Sequence, residues 1–162
     1  MDHKEPAFCT PLPDEAATQQ LGMRLADQLT PGMRIYLTGQ LGAGKTTLVR
    51  AMLNALGHAG RVKSPSYTLV ESYIISRLYL YHFDFYRFKD PNEWIDSGFR
   101  DLFSGDAVCL VEWPEKALGF LPEPDLEISI AVESTGRCAT LTAHGEPGKR
   151  CVSALKLQEG FS

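Results

Sequence analysis

Hydrophobic residues recur along the chain with two spacings, one typical of helices and one typical of strands. Residues 8–12 form a short extended piece, and Asp14 then provides an N-cap for a helix whose leucines recur at helical spacing. A strand follows at residues 34–38. A second helix begins at Lys45, places its apolar side chains on one face and ends near Gly57, a residue type common at helix ends. The first part of the chain therefore predicts a short extended piece, a helix, a strand and a helix in that order.

The middle of the chain is rich in Tyr, Ile, Leu and Phe. Residues 69–75 and 78–85 both predict strands, and the intervening pair 76–77 is too short for a crossover helix, so a β-hairpin is the simplest interpretation. Alternation along the second strand places His82 and Asp84 on the same face.

The second half of the chain predicts short helices and further strands. One or two helices are expected over residues 93–103, and the apolar run 107–111 predicts a central strand covered on both faces. Two strands around 126–132 and 138–143 flank a turn signal and predict a second hairpin. A last strand or tail is expected at residues 151–157.

Length and charge narrow the class of protein. A chain of 162 residues is long enough for one domain with a sizeable core. The formal net charge of −4 disfavours strong direct binding to nucleic acid, which usually requires a basic surface. The four cysteines have no zinc-like spacing and are expected to be reduced and mostly buried. With neither a signal-like N-terminus nor a long apolar run in the sequence, we expect a cytoplasmic protein without membrane association.

A glycine-rich loop lies between the predicted strand at 34–38 and the second helix. Its residues fit G-x-x-x-x-G-K-[ST] and are followed by a second threonine: Gly39, Gln40, Leu41, Gly42, Ala43, Gly44, Lys45, Thr46 and Thr47. Such a loop cradles phosphates with backbone N–H groups, while the lysine reaches the β and γ phosphates and the Thr46 hydroxyl binds Mg²⁺. No Asn-Lys-x-Asp guanine-reading motif is present, which favours ATP.

This loop, with the order of elements, predicts an α/β fold. We expect a single P-loop NTPase-like domain over residues 1–162, with a mixed parallel and antiparallel sheet flanked by helices and with β-hairpins. Residues 146–162 are expected to form a C-terminal strand or tail.

Magnesium at such a loop usually requires one carboxylate at the carboxyl edge of the sheet. Glu112 follows the predicted central strand and is the first candidate, while Asp84 near the end of the hairpin is the second. Trp113 is interpreted as a packing residue. His82 is interpreted as a satisfied buried histidine, with polar support of Asp84 as the alternative.

A hydroxyl-rich segment joins the second helix to the hairpin. It contains Ser64, Pro65, Ser66, Tyr67 and Thr68. In P-loop proteins a connection at this point can become ordered around the γ-phosphate and relax after hydrolysis. An ordinary polar turn containing a proline explains the composition equally well.

Four motifs in order, GQLGAGKTT, KSPSYTLVE, YHFDFYR and LVEWPEK, resemble the TsaE family, formerly YjeE, of small bacterial P-loop ATPases. The resemblance covers most of the chain. It implies a cytoplasmic ATPase, weak alone, that is required to form threonylcarbamoyladenosine beside the tRNA anticodon. The implied partners are the proteins TsaD and TsaB, through which tRNA is handled indirectly, and the implied cofactors are ATP or ADP with Mg²⁺.

The resemblance also assigns roles to residues. It implies that Gly39 to Thr46 bind the phosphates, that Thr46 and Glu112 hold Mg²⁺, and that Asp84 acts in catalysis or switching together with Lys45 and Glu112. The segment 64–68 would be the switch-like loop, and Trp113 would complete a Glu-Trp signature. Two further positions, Thr10 and Arg137, would complete the pocket around base and ribose.

Two other functions are compatible with the loop. A P-loop small-molecule kinase should carry clustered lid arginines, yet the four arginines available for that role are dispersed along the sequence: Arg77, Arg87, Arg100 and Arg137. A binding module whose nucleotide only holds the fold together is the third interpretation.

Overall fold

A computed structural model of the chain describes residues 7–75 and 78–159. The strands are β1 (Ala7–Leu12), β2 (Arg34–Thr38), β3 (Val70–Ile75), β4 (Leu78–Asp84), β5 (Val108–Glu112), β6 (Leu126–Glu133) and β7 (Gly136–Ala143). The helices are α1 (Glu15–Ala26), α2 (Lys45–Ala55), α3 (Asn92–Ser97), α4 (Arg100–Phe103) and α5 (Glu146–Gln158), with a 3₁₀ turn at Pro114–Ala117.

All seven strands belong to one sheet with the order β1-β7-β6-β2-β5-β4-β3. The central strands β6, β2, β5 and β4 run parallel to one another, whereas β3 and β7 pair antiparallel with β4 and β6 as two hairpins. At the far edge β1 pairs antiparallel with β7. The predicted α/β fold with a mixed sheet, flanking helices and hairpins is therefore confirmed; the turn at Ser76 and Arg77 lies outside the described residues.

Each face of the sheet carries its own hydrophobic core. Alternation along β5 shows the division, because Val108 and Leu110 pack with α1, α2 and α5, while Cys109 and Val111 pack on the opposite face with α3, α4 and the 3₁₀ turn. All five residues of β5 are buried. This confirms the prediction of a central strand covered on both faces and explains why its sequence is continuously apolar up to Glu112.

The two helices nearest the glycine-rich loop pack closely against each other. Asp14 accepts a hydrogen bond from the Ala17 amide at 2.9 Å, so α1 begins with the predicted N-cap. Within α1, Gly22 faces α2 so closely that an added Cβ would overlap the Ala51 side chain. The absence of a side chain at Gly22 therefore sets the distance between α1 and α2.

The prediction of a C-terminal strand or tail at 151–157, within 146–162, is wrong. Residues Glu146–Gln158 form α5, and its buried positions are Gly148, Cys151, Val152 and Leu155. Their spacing of three and four residues is that of one helical face. The sequence obscured this face because Pro147 and Gly148 are poor helix formers, although proline is acceptable in the first turn.

The cysteines divide into two pairs. Cys109 and Cys151 are buried as predicted, whereas Cys9 is exposed and Cys138 is half-buried. The sulfur atoms of Cys9 and Cys138 lie 2.9 Å apart as free thiols on neighbouring strands. The expectation of mostly buried thiols therefore holds only for Cys109 and Cys151.

Within residues 7–75 and 78–159, none of the helices combines the length and the apolar character that crossing a membrane requires.

Candidate functional site

The glycine-rich loop connects the end of β2 to the start of α2. Its glycines have backbone angles that other residues rarely adopt, with φ of 146° at Gly39, 81° at Gly42 and 112° at Gly44. A Cβ at Gly39 would also lie 2.6 Å from the carbonyl oxygen of Ile130 in β6. All three glycines thus have conformations that favour glycine, and Gly39 is in addition closely packed against β6.

Lys45, the first residue of α2, points back across this loop. Its ammonium group donates hydrogen bonds to the carbonyl oxygens of Gly39 and Gln40 and lies 4.0 Å from the centre of the Trp113 ring. The residue is only 4% exposed. Burial lowers the pKa of Lys45, and the nearby Glu112 carboxylate opposes this shift. Lys45 is therefore a buried side chain whose ammonium group faces the glycine-rich loop.

The next residue of α2 contacts the acid at the end of β5. The Thr46 hydroxyl lies 3.0 Å and 2.9 Å from the two carboxylate oxygens of Glu112. Glu112 is 2% exposed and also accepts a hydrogen bond from the fully buried His82, whose Nε2 lies 2.7 Å from Oε2. The predicted acid and the predicted hydroxyl are thus in direct contact, although they are far apart in sequence.

The second candidate acid lies on the neighbouring strand. Asp84 is opposite Glu112 in the parallel pairing of β4 with β5, and its Oδ1 accepts a hydrogen bond from the Tyr86 amide at 2.9 Å. Burial raises the pKa of Asp84, while the Tyr86 amide opposes the shift and Glu112 adds to it. The carboxylates of Asp84 and Glu112, which have different hydrogen-bond partners, therefore lie side by side at the carboxyl edge of the sheet.

A cleft of about 440 Å³ lies over this edge. It is lined by Leu41, Gly42, Ala43, Gly44, Lys45, Thr46, Thr47, Ser64, Ser66, Asp84, Tyr86, Arg87, Glu112 and Trp113. The fold thus brings together most of the predicted site residues, which come from the glycine-rich loop, α2, the 64–68 segment, and the ends of β4 and β5.

The 64–68 segment is only partly directed at the cleft. Ser64 and Ser66 line it, whereas Pro65 is buried beneath. Tyr67 is 80% exposed and its ring lies 4.0 Å from the Arg87 guanidinium, while the Thr68 hydroxyl donates to Glu71 at 3.4 Å. A cation–π contact therefore joins this segment to the residues that follow β4.

The two residues predicted to complete the pocket have different surroundings. Arg137 donates a hydrogen bond to the Gly42 carbonyl at 3.1 Å and, together with Gly44, lines a smaller cavity of about 160 Å³ beside the loop. Thr10 is buried, and its hydroxyl donates to Glu159 at 3.4 Å. Thr10 does not line either cavity. The structure thus brings Arg137, but not Thr10, to the loop.

The donors at Thr46 and Glu112 fit a magnesium ion. Among the described residues, no group of three or more His, Cys, Asp or Glu side chains is arranged to hold a metal. Magnesium beside a phosphate loop does not need such a group, because it retains waters and shares phosphate oxygens. One hydroxyl in contact with one buried carboxylate is the donor set that this type of site uses.

Three residues of the site were not predicted as such. His82 binds Glu112 rather than Asp84, and Tyr86 and Arg87 line the cleft. The alternation that places His82 and Asp84 on one face was visible in the sequence. The contact with Glu112 depended on the parallel pairing of β4 with β5, which the sequence pattern did not provide.

Three features together define a P-loop-like protein. They are a mixed sheet flanked by helices, a glycine-rich loop between a strand and a helix, and an acid at the end of the neighbouring strand. Comparison with known proteins is more specific. Residues 12–139 match the family described as "Threonylcarbamoyl adenosine biosynthesis protein TsaE". The chain therefore belongs to the TsaE family, whose members take part in tRNA threonylcarbamoyladenosine biosynthesis.

Individual relatives agree with this assignment. The tRNA threonylcarbamoyladenosine biosynthesis protein TsaE of Haemophilus influenzae is 45% identical over 149 residues, which are 89% of this chain and 94% of the relative. The protein of the same name from Bacillus subtilis is 38% identical over 82% of this chain and 83% of its own. A crystal structure of Bacillus subtilis YdiB is similar with a TM-score of 0.83 and 29% identity, covering 98% of this chain and 99% of that one.

Proposed function

We propose that this protein is a Mg²⁺-dependent ATPase of tRNA threonylcarbamoyladenosine biosynthesis. Its ATP binding and hydrolysis would be coupled to turnover of a complex of TsaD and TsaB, which would carry out the modification of the adenosine beside the anticodon. The observation that carries the proposal is the contact of Thr46 with Glu112, where the glycine-rich loop meets the start of α2. Membership of the TsaE family supports the role in tRNA threonylcarbamoyladenosine biosynthesis, and the cleft beside the glycine-rich loop supports nucleotide binding.

Each residue of the cleft has a role in this proposal. The backbone N–H groups of the loop and the positive end of α2 would bind the phosphates, and Lys45 would exchange its carbonyl partners for phosphate oxygens. Thr46 and Glu112 would hold Mg²⁺, which would neutralise charge on the phosphates. Asp84, buried and hydrogen-bonded through the Tyr86 amide, would orient the attacking water.

The surface charge agrees with an indirect role toward tRNA. With a net charge of −4, the protein lacks the general basic excess that supports strong binding to nucleic acid. We therefore infer that tRNA is bound by the partner proteins, and that slow ATP hydrolysis by this protein alone rises when TsaB and TsaD are added.

Nucleotide titrations with and without Mg²⁺, followed by hydrolysis assays, test the site. Lys45→Ala should weaken triphosphate binding because a charge-assisted contact is lost. Glu112→Ala should mainly reduce the Mg²⁺ dependence, and Asp84→Ala should slow turnover while binding is kept. As matched controls, Lys149→Ala and Glu146→Ala change an exposed ion pair on α5 and should behave as the wild type.

Four results would overturn parts of the proposal. Loss of Mg²⁺ dependence in the Asp84 variant but not in the Glu112 variant would reverse the two acids. Full multiple-turnover modification of tRNA by TsaB and TsaD without this protein would refute the pathway role. Strong stimulation of ATP consumption by a nucleoside, nucleotide or sugar would indicate the small-molecule kinase, and full partner function in a folded Lys45→Ala variant would indicate a binding module.

A further inference from the structure

His82 is an ionisable side chain that the proposed chemistry does not use, yet it contacts Glu112, the proposed magnesium ligand. It is fully buried in β4, and its Nε2 lies 2.7 Å from Glu112 Oε2. Its other ring nitrogen, Nδ1, is buried and has no hydrogen-bond partner among the described residues. Within the part of the chain that the structure describes, the ring's single hydrogen bond is therefore the one with Glu112.

The pairing of strands explains this contact. In β4 and β5, Asp84 is opposite Glu112 and His82 is opposite Leu110. Side chains two residues apart on a strand share a face, so the imidazole lies on the face of the sheet that α2 covers. Glu112 ends β5 on this same face, where it meets Thr46 at the start of α2. The histidine thus approaches the carboxylate from within the sheet, while the threonine approaches it from the loop.

His82 contacts one oxygen of the Glu112 carboxylate, whereas Thr46 contacts both. An ionised carboxylate only accepts hydrogen bonds, so Nε2 must carry the proton that lies between the two groups. Oε2 is consequently bonded to the ring, while the Thr46 hydroxyl lies 3.0 Å from Oε1 and 2.9 Å from Oε2. A carboxylate anchored through one oxygen cannot rotate freely about its last side-chain bond.

We propose that His82 is a positioning residue for the metal site. It anchors Glu112 through Oε2 so that the carboxylate remains in contact with Thr46 at the edge of the cleft, where Mg²⁺ would be held. This role rests on the proposed function, because it requires that Glu112 be a magnesium ligand. Partners of this kind orient metal ligands in other sites, and their loss typically lowers metal affinity by about 10- to 100-fold.

A purely structural role makes a different prediction. If the contact between His82 and Glu112 only helps to fill the protein interior, replacing His82 lowers the free energy of unfolding. The effect of Mg²⁺ on nucleotide affinity is then unchanged. The informative quantity is therefore the ratio of the ADP dissociation constants measured in EDTA and in Mg²⁺. This ratio is a binding measurement and does not depend on the rate of hydrolysis.

The experiment measures this ratio by calorimetric titration in the full-length protein and four variants. His82→Leu removes the donor and should reduce the ratio about tenfold or more, with affinity in EDTA unchanged. His82→Gln keeps an N–H donor near the Nε2 position and should restore most of the ratio, whereas the shorter His82→Asn should not. His144→Leu breaks another His–Glu contact, that with Glu127 at 2.8 Å on the partly exposed surface, and should match the wild type.

The outcomes separate the two proposals. A wild-type ratio in folded His82→Leu, or equal ratios in His82→Gln and His82→Asn, would overturn the positioning role alone. The Gln and Asn pair still decides the question if His82→Leu does not fold, since both introduce an amide at the same buried position. A wild-type protein whose ADP affinity does not respond to Mg²⁺ would overturn the proposed function and this role with it.

Discussion

The close approach of α1 and α2 predicts that Gly22→Ala destabilises the protein, although alanine is the better helix former. A Cβ at Gly22 would overlap the Ala51 side chain and lie 3.1 Å from both the Ala51 carbonyl carbon and the Met52 nitrogen. Ordinary contacts between such atoms are about 3.5–4.0 Å long. Because two of the three atoms belong to the backbone of α2, a change of rotamer cannot relieve the overlap.

The net effect follows from two opposing terms. Inserting a methyl group into a well-packed core costs about 1–3 kcal/mol, and backbone contacts place this site near the upper end. Alanine in place of glycine within a helix returns about 1 kcal/mol. We therefore expect Gly22→Ala to lower the free energy of unfolding by about 2 kcal/mol, which at a urea m-value of about 2 kcal/mol/M moves the midpoint down by about 1 M.

Urea unfolding followed by circular dichroism measures this shift. Gly105→Ala is the matched control, because nothing lies within 4 Å of an added Cβ there, and its midpoint should stay unchanged or rise slightly. In the double variant with Ala51→Gly, the loss should be smaller than the sum of the two single losses, since the overlapping methyl group is gone.

The same substitution should also weaken nucleotide binding. Helix α2 begins at Lys45, so moving it away from α1 displaces Lys45 and Thr46 from their partners around the cleft. A Gly22→Ala variant with an unchanged or higher urea midpoint would refute the close packing of α1 on α2 described above.

Three further predictions concern other parts of the molecule. Leu155→Ala should lower the free energy of unfolding in urea by about 2–5 kcal/mol, because Leu155 is fully buried in α5. Leu157→Ala changes a 74% exposed position and should be nearly neutral, so equal effects of the two substitutions would refute the helix. Asp84→Asn should raise the melting temperature at pH 7, because a raised folded-state pKa means that the ionised carboxylate destabilises the fold above that pKa. This gain should shrink as the pH falls toward 4 in scans of the nucleotide-free protein, and a pH-independent difference would contradict it. In the folded protein, a thiol reagent at pH 8 should modify exposed Cys9 but not Cys109, since burial raises the pKa of Cys109 to about 12; mass spectrometry of the labelled peptides distinguishes them.

Local signals explain the parts of the fold that the sequence predicted well. Strand β2 was predicted with its observed bounds, Arg34–Thr38, because glycines lie on both sides of a short apolar run. The position of the glycine-rich loop between β2 and α2, and that of Glu112 at the end of β5, were predicted for a related reason, since a fixed glycine pattern and an apolar run ending in an acid are both local features. The position of such a residue can therefore be predicted from the sequence, because it depends only on the nearest few neighbours in the chain.

Features that depend on distant parts of the chain were missed. Helix α5 contains Gly148, which disfavours a helix locally, but a Cβ there would overlap the backbone of Asp125 just before β6. The glycine thus serves a tertiary contact that overrides its low helix propensity. His82 was interpreted as a satisfied buried histidine, or as polar support of Asp84, for the same reason: its contact with Glu112 exists only after β4 has paired with β5.

The order of strands also affects how the chain folds during synthesis. Hairpins β3–β4 and β6–β7 join strands that are close in sequence, whereas Ile35 of β2 pairs with Leu110 and Leu126, both much later in the chain. Non-local pairings of this kind form slowly because they close long loops. A nascent chain therefore exposes the phosphate loop before β5 and β6 exist to support it. The proposed nucleotide binding should therefore appear only once the centre of the sheet is complete.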